Sequence, residues 1–297
     1  MLLAVVSLTS LAILIRIVAN PLSNVLQKQL TQRSAEPLFI ISTTYGFLTV
    51  ACLTFWPQLR FSGLPAVFWQ SIVMTGLLAM LGNVFLVKAL CLGDLSVLGP
   101  INAYKSVVGI LAGIFLLHEV PDFWGLLGVL LIIGGSYIVL ADQQQQTNLS
   151  WTVFGRPEVK LRLLALVFSA IDGVFLKKAI LLSTPIVAFF YWCLFGFVFT
   201  LIWIIGAMRA RWRSQSRLLA EQKFIFLGLF IAVGVTQMAS NVALAHIPVG
   251  YALALFQTSA LVSVLFGYHF FGEQGLVRKL IGASVMVTGA VLITLLG

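Results

Sequence analysis

Residues 113–140 read GIFLLHEVPDFWGLLGVLLIIGGSYIVL, and residues 267–296 read GYHFFGEQGLVRKLIGASVMVTGAVLITLL. Each stretch ends an apolar run at a glutamate, turns, and starts a second, glycine-rich apolar run. Aligning Glu119 on Glu273 sets an offset of 154 residues. At that offset Gly113 meets Gly267, Gly128 meets Gly282 and Gly135 meets Gly289 without a gap; Ala89 meets Ala243 and Leu126 meets Leu280. Apolar chains match by chance at Leu and Val. Three glycines and one glutamate at a single offset predict an internal duplication.

Composition fixes the solvent. Of the 297 residues, 60% are hydrophobic and only 9% charged, against about 25% charged in soluble domains. So few charges cannot cover a water-facing surface, and lipid must cover most of the molecule. A helix needs about 20 apolar residues to cross the hydrocarbon core. Backbone amides there must be bonded internally, and these runs do not alternate as barrel strands do.

About ten such helices are expected, at 3–26, 38–55, 68–90, 95–117, 121–140, 161–181, 185–208, 224–245, 249–271 and 276–296. No Lys or Arg precedes the first run and no A-x-A site follows it, so it reads as a membrane helix rather than a cleaved leader. The expected fold is all-α and integral to the membrane. A first five-helix repeat covers 1–141, a polar linker 142–160, and a second repeat 161–297. Five is odd, so the second repeat enters the bilayer inverted. Inverted repeats put a substrate site near the midplane, where the halves meet.

The two quoted stretches, within a 5+5 arrangement spanning nearly the whole chain, resemble the drug/metabolite transporter superfamily in its EamA-like branch. The resemblance implies a ten-helix transporter with cytoplasmic termini. Members often open the first helix with a Trp-Gly-x-Asn cluster. Here that stretch reads Asn20-Pro21-Leu22-Ser23-Asn24, which leaves Asn24 as the matching position.

Polar residues inside apolar runs are expensive and need a reason. Lys105 lies ten residues into the fourth run, within Pro100-Ile101-Asn102-Ala103-Tyr104-Lys105, too deep to reach the interface. It reads either as an anchor for a carboxylate or phosphate or as half of an ion pair with Asp172. Asp172 in turn reads as that partner, as a proton carrier, or as a site for a cationic group. On the first run Arg16, Asn20, Asn24 and Gln27 or Lys28 share one helical face. Asn83, Gln237, Asn241, Gln257, Asn102 and Tyr104 complete the candidate lining, with interhelical hydrogen bonding as the bland alternative. Glu119 and Glu273 read as structural turn residues, each beside the positive end of a helix dipole, with Pro121 fitting a first helical position. The Gly109-x-x-x-Gly113 spacing suits close helix contact.

The net charge of +9 reads as loop Lys and Arg facing anionic headgroups rather than nucleic acid. Arg33, Arg156, Lys160, Arg162, Arg209, Arg211, Arg213, Arg217, Lys223, Arg278 and Lys279 follow odd-numbered runs; Arg60, Lys177 and Lys178 follow even-numbered ones. This bias puts both termini outside the cytoplasm, opposite to what the resemblance implies. Cys52, Cys91 and Cys193 have no metal or disulfide spacing. No P-loop, HExxH or GxSxG occurs. No enzyme, cofactor or metal is expected. The expected function is secondary transport, as exporter or exchanger, of a small polar or anionic metabolite such as an amino acid or organic acid, in the inner (cell) membrane. Ion coupling and homodimerisation are compatible with it. The alternatives are a channel-like or structural membrane subunit and, last, an intramembrane enzyme.

Overall fold

The structure is a computed structural model that describes residues 2–59, 62–105, 107–108, 122–140, 155–207, 211–247 and 249–296. Glu119, Pro121, the Gly109–Gly113 pair and residues 142–154 of the expected linker lie outside the described residues. Among the described residues the chain is helical throughout, with no strand. The helices are α1 (Leu2–Gln32), α2 (Pro37–Cys52), α3 (Ala66–Leu92), α4 (Leu95–Leu98), α5 (Phe123–Leu140), α6 (Pro157–Leu181), α7 (Pro185–Ala207), α8 (Trp212–Glu221), α9 (Lys223–His246), α10 (Val249–Gln257), α11 (Ser259–Phe271) and α12 (Leu276–Leu295).

Among the described residues six helices are long and apolar enough to cross a membrane: Leu8–Gln32, Pro37–Gln58, Ala66–Leu92, Pro185–Gly206, Lys223–His246 and Leu276–Ile293. Phe123–Val139 and Leu255–Phe271 are shorter apolar helices. The ninth expected run is therefore divided, into α10 and α11. The fourth gives α4 and a 3₁₀ turn, Pro100–Ala103, before its remainder leaves the described residues. The helix that contains the sixth run, α6, carries Glu158, Lys160, Arg162, Asp172, Lys177 and Lys178.

Helix pairing follows the repeat. The largest packing contacts join α5 to α12, α3 to α6, and α1 to α9. Exchanging the halves turns α5 into α12 and turns the α1–α9 pair into the α6–α3 pair. At the α5–α12 crossing two glycine pairs bring backbone onto backbone. A Cβ on Gly128 would sit 2.6 Å from the Gly289 carbonyl oxygen, and a Cβ on Gly289 would sit 2.6 Å from that of Gly128. Gly135 and Gly282 approach each other the same way, at 2.7 and 2.8 Å. Because 128 faces 289 while 135 faces 282, α5 and α12 run antiparallel. Small residues that admit such approach are how helices associate in lipid, where no hydrophobic force drives them together.

One end of the bundle gathers the α1–α2 turn, α8, the α3–α4 junction and the α11–α12 turn. Ser34 holds a positive φ of 68° there. Gln215 of α8 braces that turn, accepting from the Glu36 N–H at 2.9 Å and donating to the Ser34 carbonyl at 3.1 Å. Next to it, Glu273 lies in a turn bounded by two left-handed glycines, Gly272 (φ 62°) and Gly275 (φ 77°). The Gly272 N–H bonds the Tyr268 carbonyl at 3.0 Å and closes α11 in the αL manner.

The Glu273 carboxylate turns away from the helix that follows it and serves α4 instead. Its Oε1 accepts from the Leu95 N–H and from Lys28 Nζ, each at 2.8 Å; its Oε2 accepts from the Ser96 N–H at 2.8 Å and from the Ser96 hydroxyl. Lys279 Nζ donates to Ser96 Oγ at 2.7 Å, and Asp94 flanks both lysines at 3.9 and 3.7 Å. Burial alone would raise the Glu273 pKa, but the bonds from Lys28 and Ser96 outweigh it and hold the group below its usual 4.5.

Two predictions follow from these contacts. Gly135→Ala and Gly289→Ala should each cost about 1–3 kcal/mol through overpacking, whereas Gly134→Ala, whose Cβ would meet nothing within 4 Å, should be neutral or stabilising; unfolding in detergent micelles measures all three. A depressed carboxylate stabilises the fold above its unfolded pKa and loses that contribution as pH falls through the folded value. The unfolding midpoint should therefore drop on acidification below about pH 4.5, and drop less steeply in Glu273→Gln.

Candidate functional site

The central site is built on the two interrupted helices. In the first half, Asn102 N–H bonds Gly99 O at 3.1 Å, a 3₁₀ bond, instead of reaching back to Leu98 O. Leu98 O thereby loses its helical partner in a medium where orphaned carbonyls are costly. Arg162 Nε takes it at 2.9 Å, and Arg162 Nη2 bonds Asn102 Oδ1 at 3.0 Å. Asn102 Nδ2 donates to Gln257 Oε1 at 2.9 Å. Gln257 ends α10 just before Thr258, where 3₁₀ bonds (Thr258 N–H to Leu255 O, Leu261 N–H to Thr258 O) interrupt the second helix. Thr258 and Tyr104 are repeat-equivalent, so both halves loosen at matching places and are tied together there.

Beside this junction lies a cavity of about 160 Å³, roughly ten times the space one ordered water needs. α1 supplies Arg16, Asn20, Ser23, Asn24 and Gln27; α3 supplies Asn83; the fourth segment supplies Asn102 and Lys105. α6 supplies Arg162, Ser169 and Asp172, α7 supplies Trp192, and α9 supplies Thr236, Gln237 and Ser240. Leu86, Leu176, Leu244, Leu253 and Phe256 are among the apolar residues of the wall. Three cations and one carboxylate thus share one small chamber.

Their bonding differs. Arg162 is spent on the scaffold. Arg16 donates Nε to Ser240 Oγ at 2.8 Å and lies 3.6 Å over the Phe256 ring, while its Nη1 is buried with no partner. Asp172 Oδ1 and Trp192 Nε1 are likewise buried and unpartnered. Lys105 is half-buried, and among the described residues it makes no hydrogen bond or ion pair; no N···O contact within 4 Å joins it to Asp172. Buried polar atoms left open in this way are rare, and each calls for a ligand or water.

Of the residues singled out in the sequence, Arg16, Asn20, Asn24, Gln27, Asn83, Asn102, Lys105, Asp172 and Gln237 line this cavity. Asn83 spends its Nδ2 on the Tyr45 hydroxyl at 2.9 Å, and Gln237 donates to Asn241 Oδ1 at 3.1 Å. Tyr104, Asn241 and Gln257 are not part of the wall. The Tyr104 hydroxyl meets Ser136 Oγ of α5 at 2.8 Å, and Asn241 holds the Pro185 carbonyl at 3.0 Å. Glu273 belongs to the end of the bundle described above.

Arg162 and Lys279 were counted as loop charges and are interior, 8% and 5% exposed. α6 starts at Pro157 rather than at residue 161, so Arg162 lies a full turn inside it. The available signal was a stripe: Arg162, Ser169 and Asp172 recur at i, i+7 and i+10, one face of a helix. Trp192 and Phe256 carried no signal, because aromatic residues in apolar runs are ordinary.

The comparisons agree with this architecture. The profile of the EamA-like transporter family matches residues 3–141 and again 157–295. No curated protein matches the chain. A solved structure titled "Crystal structure of protein" superposes with a TM-score of 0.65 at 16% identity, covering 97% of each chain, which shows a shared fold. With both halves matched, this integral membrane protein belongs to the EamA-like transporter family.

Proposed function

We propose that the chain is a secondary transporter of the inner membrane, an exporter or exchanger that moves a small anionic metabolite by alternating access. The observation that carries this reading is the open valence in the cavity. Lys105 and Arg16 Nη1 face the cavity with no hydrogen-bonded counter-charge, Asp172 acting on Lys105 only through space, so a carboxylate or phosphate would complete them. The antiparallel crossing of the equivalent helices α5 and α12 supports two inverted repeats, and hence a rocking cycle around a central site. The interrupted helices flanking the cavity support the same reading, since unwound segments at the repeat interface are where transporters hold substrate.

Asp172 refines the substrate. Its free Oδ1 is an acceptor among donors, suited to the amine of an amino acid or to a coupling proton. A plain organic acid would use the cations alone.

Counterflow in proteoliposomes with radiolabelled amino acids, organic acids and sugar phosphates tests the reading. Lys105→Ala should weaken apparent affinity for an anionic member about 10- to 100-fold, the loss expected for one charge-assisted hydrogen bond of about 1.5–3 kcal/mol. Unchanged saturable uptake would make Lys105 structural, and non-saturable flux without counterflow would favour a channel. Asp172→Asn separates the two roles of that residue. If Asp172 binds an amine, the variant should lose amino acids and keep dicarboxylates. If it carries a proton, the variant should keep counterflow and lose uptake driven by a pH gradient.

A further inference from the structure

We propose that the Lys28–Glu273 pair, with the α4 N-terminus it caps, is the lock that closes the α8 end of the cavity and opens once per transport cycle. This rests on the alternating-access reading.

The lock joins the halves. Lys28 on α1 and Leu95–Ser96 at the start of α4 belong to the first half. Glu273 in the α11–α12 turn and Lys279 on α12 belong to the second. Each bond of the Glu273 carboxylate crosses that boundary, at 2.8 Å from Lys28, Leu95 and Ser96. The Glu273 side chain is only 4% exposed to solvent.

The lock is also positioned to block. Gln27 lines the cavity and Lys28, the next residue, is in the pair, so the network lies within one helical residue of the cavity lining. The Lys28 ammonium lies 4.7 Å over the Phe271 ring, which packs against the α4 cluster. A Cβ on Gly267 would meet Glu273 Oε2 at 2.5 Å and Ser96 N at 2.9 Å, so α11 closes directly on α4 at this level.

The physical chemistry makes the pair two-state. Parting two buried charges without solvent is prohibitive, because each is left uncompensated in a low-dielectric site. Parting them into a water-filled vestibule replaces each bond with hydration. Intermediate separations are the expensive ones, so the end is either sealed or wet. Asp94, 56% exposed, lies within 4 Å of both lysines and gives them a hydrated partner when Glu273 withdraws.

The test uses a reporter cysteine, Leu86→Cys, in the cavity wall of the full-length chain with Cys52, Cys91 and Cys193 replaced by alanine. A membrane-impermeant maleimide is applied separately to each side of oriented vesicles. Lys28→Met removes the ion pair and leaves the α4 cap in place. It should raise labelling from the α8 side at least tenfold and lower it from the other side. Lys28→Arg should stay within threefold of the parent. Glu273→Gln should behave like Lys28→Met, and the latter decides the matter should the former fail to fold by gel filtration. Equal labelling from the α8 side in the parent and Lys28→Met would overturn the lock. Labelling needs no substrate. Absent counterflow with altered labelling would therefore sink the transport reading alone, and intact counterflow with unaltered labelling would sink the lock alone.

Discussion

The contact on which the rest of the architecture depends is the backbone-to-backbone crossing of α5 and α12. In lipid, helices gain nothing by hiding apolar side chains from an equally apolar solvent, so association comes from close packing and hydrogen bonds. Gly128 against Gly289 and Gly135 against Gly282 supply that packing with no side chain between. The reciprocity of the two pairs relates the halves as well as joining them. Once α5 and α12 cross antiparallel, the α1–α9 and α3–α6 pairs become counterparts, and the polar faces of α1, α6 and α9 converge on one chamber.

That chamber is held open by polar groups whose cost is met locally. The 3₁₀ turn at Pro100–Ala103 frees a carbonyl, Arg162 captures it, and the same guanidinium fixes Asn102. Lys177 does related work at the far end of α6, donating to the carbonyls of Leu244 and Ile247 where α9 stops. The described interior cations thus differ in what they bond: Arg162 and Lys177 satisfy backbone carbonyls, Lys28 and Lys279 pair with Glu273 and Ser96, and Lys105 and Arg16 keep donors open to the cavity.

How much of this was legible in the sequence depends on the range of the signal. The helical class followed from composition and the duplication from glycines at a constant offset, so both could be read in one dimension; that those glycines meet across a crossing could not. The α1 stripe was legible because helical period alone puts Arg16, Asn20 and Asn24 on one face. The fate of Arg162 was not, since a shift of four residues in a helix start separates a loop charge from a buried one. Nor was the partner of Glu273. It sits 245 residues from Lys28, a separation that no local pattern reports. The break at Thr258 had no Pro or Gly to announce it.

Duplication gave the scaffold two equivalent halves, but the residues at equivalent places have diverged. Lys105 corresponds to Ser259, a buried hydroxyl that bonds the Phe256 carbonyl at 2.7 Å. A molecule with identical halves would have inward- and outward-facing forms of equal free energy, and its empty state would divide evenly between them. Here the degeneracy is lifted. In the alternating-access cycle proposed above, the resting population, and the solute concentration that would half-fill the chain from each side of the bilayer, would be set by such unmatched pairs and not by the shared backbone.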